Sequence, residues 1–136
     1  MLRWVAVRIL TGVYCQNSMT DSLQIDSNSR RRLLEDELER FLKILTGLNG
    51  LERVIVFGSL AGGETHPWSD LDLAIIQHTD LPFFARLRAV RRLLRPRVAT
   101  DLLIYTPAEF EQLARERPFV REEILAKGRV VYERTG

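Results

Sequence analysis

The chain has 136 residues, of which 46% are apolar and 28% charged, and a formal charge of +2. That size admits one hydrophobic core and excludes a core plus a separate substrate domain, and the apolar and charged balance is that of a globular protein rather than a disordered one. One cysteine, Cys15, rules out an intramolecular disulfide framework and agrees with a reducing cytoplasm, and one cysteine with two histidines is too few for a zinc site.

Residues 1–13 are apolar but interrupted by Arg3 and Arg8, well short of the roughly 20 residues that span a bilayer. No membrane association or export signal is expected. Residues 1–18 read as an N-terminal extension, non-native or disordered, with residues 19–136 forming the domain. The rival is an appended edge strand through Val5, Val7 and Ile9. In residues 30–48 the apolar positions Leu34, Leu38, Phe41, Leu45 and Leu48 recur at helical spacing, with Asn28 or Ser29 as the cap and glycines at the end. This helix is expected to cover one face of a sheet.

A buried strand follows over residues 53–57, then a short helix over 59–62, a loop holding Pro67 and Trp68, and a second strand over 71–77. Thr79 or Asp80 precedes a second long helix with Pro82 in its first turn. Its apolar stripe is Phe83, Leu87, Val90 and Leu94, while Arg88, Arg91, Arg92 and Arg95 fall on another face, and Pro96 stops it. The cluster from Arg86 to Arg97 reads as a solvated helix face, with a contact for an acidic partner or RNA as the minority alternative. RNA binding is not expected, because aromatic residues do not interleave with the arginines. A third strand over residues 98–105 places Asp101, Leu103 and Tyr105 on one side. Thr106-Pro107-Ala108-Glu109 is a capping box with proline at the first helical position. That helix breaks near Pro118, resumes to Lys127 and stops at Gly128, before a last strand over residues 129–133. The order helix, strand, strand, helix, strand, helix, strand predicts a single α/β (α+β) domain with a mixed sheet covered by helices.

The stretch over residues 54–76 carries the chemistry. Alternation along a strand points Asp70 and Asp72 the same way with Cα atoms about 7 Å apart. Two carboxylates in one volume repel unless a cation joins them, and Mg²⁺ favours one or two carboxylates plus substrate phosphates. The glycine-bearing break at Gly58-Ser59 lets backbone N–H groups and a hydroxyl approach phosphate oxygens. The bland alternatives are an exposed strand start for the aspartates and a helix cap for Ser59. His66 and His78 read as solvated, and Trp68 either stacks on a base or packs over the core.

Gly58-Ser59, ten intervening residues, and Asp70-x-Asp72 followed by Leu73 resemble the signature of the DNA polymerase beta-type nucleotidyltransferases, within which the likeness is to the minimal nucleotidyltransferases (MNT) paired with HEPN-domain toxins. It extends through Asp101 in residues 99–110 to residues 124–133. The resemblance implies a nucleotidyltransferase fold and transfer of AMP from ATP to a hydroxyl of a HEPN-type partner protein, as an antitoxin. Asp70, Asp72 and Asp101 are then the catalytic carboxylates and ligands for two Mg²⁺ ions about 3.5–4 Å apart, with Asp101 also placed to take the acceptor proton. Gly58 and Ser59 hold the β- and γ-phosphates of the nucleoside triphosphate. One departure is Gly62, where many relatives carry arginine. That departure and the short chain keep open a second reading, a catalytically weak or inactive binding module that neutralises a partner by contact. With no second domain to enclose an acceptor, a second copy or another protein is expected to complete the site.

Overall fold

The computed structural model describes residues 19–135. The expectations for residues 1–18, including the edge strand and Cys15, lie outside them. Helix α1 (Met19–Leu45) starts well before the expected cap. Asn28 and Ser29 sit inside it, because residues 19–46 contain no glycine or proline and a mid-helix Ser or Asn costs only about 0.5 kcal/mol relative to Ala. The helix also ends earlier than expected, where Gly47 N and Leu48 N turn back onto the carbonyls of Ile44 and Leu45 at 3.2 and 2.9 Å.

Strand β1 (Leu51–Phe57), the single-turn helix α2 (Ser59–Gly62) and strand β2 (Leu71–Gln77) follow. Helix α3 (Phe83–Leu94) then crosses to strand β3 (Thr100–Tyr105). Pro82 lies one residue before α3 rather than in its first turn, and Thr79 Oγ1 accepts from Leu81 N at 3.2 Å, capping a turn and not the helix. The capping box forms as expected at the start of α4 (Pro107–Glu116). A wide-turned helix of π type, α5 (Val120–Ala126), and strand β4 (Arg129–Glu133) complete the chain.

The sheet has the order β3-β2-β1-β4. β1 runs antiparallel to β2 and β4, and β2 and β3 are parallel, as a helical crossover requires. Both faces are covered. On one, Val54, Val56, Leu71, Leu73, Ile75, Leu102 and Ile104 pack against Leu34, Leu38, Phe41 and Leu45 of α1 and Val90 and Leu94 of α3. On the other, Ile55, Phe57, Ala74 and Ile76 meet Phe110 of α4 and Val120 and Ile124 of α5. Alternation along β2 thus sends Leu71, Leu73 and Ile75 to the first face and Asp72 and Ala74 to the second, as the sequence pattern predicts.

Two buried charged side chains fix elements to one another. Arg86, expected within the solvated arginine cluster, is buried. Its guanidinium donates to Glu109 through Nη1 at 2.6 Å and Nη2 at 3.1 Å, and through Nε to the Leu81 carbonyl at 2.7 Å. Arg86, Val90 and Leu94 therefore form the buried stripe, and Phe83 is displaced toward solvent at 39% exposure. A charge tolerates this position because the capping-box carboxylate is already fixed there to receive it. Glu37, also buried, accepts from Arg40 Nε at 2.7 Å, Arg40 Nη2 at 3.0 Å and Arg97 N at 2.5 Å, tying α1 to the segment that leads into β3.

Candidate active site

Parallel register sets Asp72 of β2 directly beside Asp101 of β3, and antiparallel register sets Phe57, the last residue of β1, on the other side of Asp72. The chain then turns at Gly58. Its φ of 72° is left-handed, and a Cβ added there would run into Asp72 Oδ2. Only glycine lets the backbone lie against that carboxylate. Gly58, Asp72 and Asp101 together line one open cleft of about 570 Å³, with Phe57, Leu87, Leu103 and Phe119 as apolar wall and Arg91 and Glu123 also lining it.

Of the five residues the sequence singles out, three therefore meet in this cleft. Ser59 opens α2 and is half-exposed. Asp70 is exposed and precedes β2, outside the cleft lining, yet its charge reaches Asp72. The Asp72 carboxyl is pushed up to about 7, first by burial, then by the charge of Asp101 and a hydrogen bond shared with it, and last by Asp70. Without a cation the Asp72 carboxyl keeps its proton well above the usual carboxylate range. Among the described residues, no group of three or more His, Cys, Asp or Glu converges as a ready metal site. The donor set still suits Mg²⁺, which takes one or two carboxylates and fills its remaining positions with phosphate oxygens and water. Asp72 and Asp101 supply the pair, and their mutual repulsion favours any divalent ion that replaces the proton.

Several residues that sequence reasoning missed shape the site. Arg91 donates through Nη2 to the Thr100 carbonyl at 3.0 Å, which holds its guanidinium in the lining of the cleft. The helical repeat assigns Arg91 to a solvated face, and only the packing of α3 on β3 shows which arginine lines the cleft. Phe119 packs edge-on against Phe57 with ring centroids 5.9 Å apart; no sequence signal pointed to it. Arg30 of α1 donates through Nε to the Ser69 carbonyl at 2.8 Å. Burial lowers its pKa and the Asp70 charge opposes that fall. Trp68 is 73% exposed and stacks on His66 at 5.2 Å, so it does not pack over the core. His78 is exposed and pairs with Glu52 at 2.8 Å. No described helix is long and apolar enough to cross a membrane.

A twisted mixed sheet with helices on both faces, and an acidic strand pair beside a glycine turn, define a nucleotidyltransferase-type domain. The chain belongs to the family described as Polymerase beta, Nucleotidyltransferase, whose profile matches residues 39–135. A solved structure from Sulfolobus solfataricus, described as a nucleotidyltransferase, is 20% identical and superposes with a TM-score of 0.58 over 80% of this chain and 88% of that one. A toxin-antitoxin structure with AMP-PNP is 18% identical, with a TM-score of 0.45 over 71% of this chain and 73% of that one. A tri-AMPylated Shewanella oneidensis HEPN toxin in complex with MNT antitoxin gives 17% identity and a TM-score of 0.40 over 76% and 73% of the two chains. The first shares the fold; the other two are more distant. No curated protein sequence matches the chain.

Proposed function

We propose that this protein is a Mg²⁺-dependent nucleotidyltransferase that moves AMP from ATP to a hydroxyl on a HEPN-type partner protein and so acts as an antitoxin. The observation that carries the transferase reading is the Asp72–Asp101 register pair at the mouth of a cleft, backed by a glycine that no other residue can replace without striking Asp72. Asp72 and Asp101 would hold a divalent cation, with Asp70 adding negative charge nearby. Such a cation, when bound, neutralises phosphate charge and makes an acceptor hydroxyl more acidic.

The acceptor oxygen forms a bond to the α-phosphorus while the bond from that phosphorus to the bridging α–β oxygen breaks. Pyrophosphate leaves with the electron pair. The acceptor proton passes to a carboxylate, with Asp101, the exposed member of the pair, in the role of base, and from there to water. Gly58 and Ser59 would receive the β- and γ-phosphates. The apolar wall of Phe57, Leu87, Leu103 and Phe119 suits the ring of a tyrosine acceptor better than a sugar or a serine. The cleft is open, and the acceptor's own chain would close the site.

The test is to incubate the protein with Mg²⁺, ATP and a HEPN-type protein encoded beside it, then weigh the partner intact. One or more added AMP groups, abolished by Asp72→Asn or Asp70→Asn, are the expected result. Neutralisation of the partner by those variants without any mass change would instead establish the binding-module reading.

A further inference from the structure

From residue 54 to residue 85 the chain has no lysine or arginine. This stretch contains the glycine turn, α2, the loop, Asp70 and β2 with Asp72, so a triphosphate laid along it meets Glu64, Asp70 and Asp72 and no fixed positive side chain. Divalent ions on the carboxylates neutralise part of that anion. Its remaining oxygens need donors that this stretch does not encode.

Helix α1 delivers them from outside. Arg30 is anchored on the Ser69 carbonyl at 2.8 Å, which fixes this part of α1 against the loop that ends at Asp70. The next residue, Arg31, is half-buried, and its Nη2 lies 3.9 Å from where a Cβ on Gly63 would sit. Gly63, the left-handed C-cap of α2, is separated from the Gly58-Ser59 turn by one helix of about 6 Å. Arg31 has no acidic partner among the described residues, whereas Arg86 and Arg40 are each engaged by a carboxylate. Position 62 is open: a Cβ there meets nothing within 4 Å.

We infer that Arg31 is the triphosphate-binding cation of this site, reaching over α2 from helix α1 to the β- and γ-phosphates held at Gly58-Ser59. This rests on the nucleotidyltransferase reading and names the residue that gives it ATP affinity. The role is positioning and charge neutralisation of the leaving pyrophosphate, so it acts on ATP far more than on AMP. It also accounts for how the chain functions with glycine at position 62, since the guanidinium arrives from another element.

Calorimetric titration with Mg²⁺-ATP and with AMP separates the outcomes. Arg31→Ala is expected to weaken Mg²⁺-ATP binding by about tenfold and AMP binding by less than about twofold, with Arg31→Lys between, because lysine keeps the charge and loses the fork. Adding Gly62→Arg to Arg31→Ala is expected to restore most of the ATP affinity, since the side chain enters open space beside the same loop. A packing role for Arg31 would give no such rescue. Thermal melts confirm that each variant is folded. Equal Mg²⁺-ATP affinity in wild type and folded Arg31→Ala overturns the assignment and leaves the transferase reading standing. Failure of the wild type to bind Mg²⁺-ATP at all overturns both.

Discussion

Replacing Asp72 by asparagine is expected to stabilise the metal-free protein at neutral to alkaline pH while abolishing Mg²⁺-dependent function. The Asp72 carboxyl is raised from its usual 3.8 to about 7, so between those values the folded state binds a proton that the unfolded state has lost. Its contribution is therefore fully present below pH 4 and is lost as the pH rises through 7. Unscreened, that rise corresponds to about 4 kcal/mol. Asp72 is only half-buried, and solvent screening reduces the figure to about 1–2 kcal/mol. Asparagine keeps the shape and cannot ionise, so it removes the penalty. The gain is counted once for the pair, because Asp101 shares the repulsion. In chelator, the midpoint of thermal unfolding of Asp72→Asn should exceed that of wild type by about 3–8 °C at pH 8, and the difference should shrink as the pH falls below 7 and vanish only below the unfolded carboxyl's usual 3.8. With Mg²⁺ and ATP the order should narrow or invert, since ligand binding raises only the wild type. A mutant less stable than wild type at pH 8, or a difference that does not change with pH, would refute the account of Asp72 as a carboxylate held in a repulsive cluster.

Gly58→Ala places a Cβ against the Asp72 carboxylate at a left-handed φ, and is expected to cost about 2–3 kcal/mol of stability, read by urea denaturation, together with nearly all transfer activity. Glu37→Ala leaves Arg40 and Arg97 N without their buried acceptor and should cost about 3 kcal/mol. Hydrogen bonds from Arg40 and Arg97 hold the Glu37 carboxyl below its usual value against the opposing effect of burial, so its contribution is present at neutral pH and lost as the pH falls below the ordinary carboxylate range; a wild-type-minus-mutant stability difference that persists into acid would contradict this. A chain starting at Met19 should unfold within a few degrees of the 136-residue chain, because every buried hydrophobic residue described lies at Leu34 or beyond; aggregation of the shortened chain would show that residues 1–18 belong to the domain.

The elements were legible because their signals are local. The capping box at Thr106 and Glu109 and the strand runs of β1 and β2 each act within a few residues of sequence, and each matches the structure. The start of α1 was misplaced for the same reason read in reverse. Ser and Asn favour caps only where the chain upstream has cause to leave the helix, and nothing between residues 19 and 28 supplies one. Strand order and register were not legible at all, since pairing of β2 with β3 depends on the α3 crossover and not on any residue pattern within either strand.

The arginines show where that limit falls. Arg30, Arg31, Arg86, Arg88 and Arg91 are indistinguishable in sequence, all sitting in helical runs rich in charge. Their roles separate only through what the opposite element presents. Arg86 faces Glu109 across α3 and α4 and becomes a buried strut, whereas Arg91, five residues on, meets the Thr100 carbonyl and the acidic cleft. Arg31 lies near Gly63 and has no ion-pair partner among the described residues. A guanidinium with a fixed carboxylate contributes to stability, and one without such a partner keeps its charge available to an incoming anion. The aspartates were visible because a strand of alternating apolar residues has no other use for them. The arginines near the site were hidden because a surface helix can carry an arginine at almost any exposed position without cost.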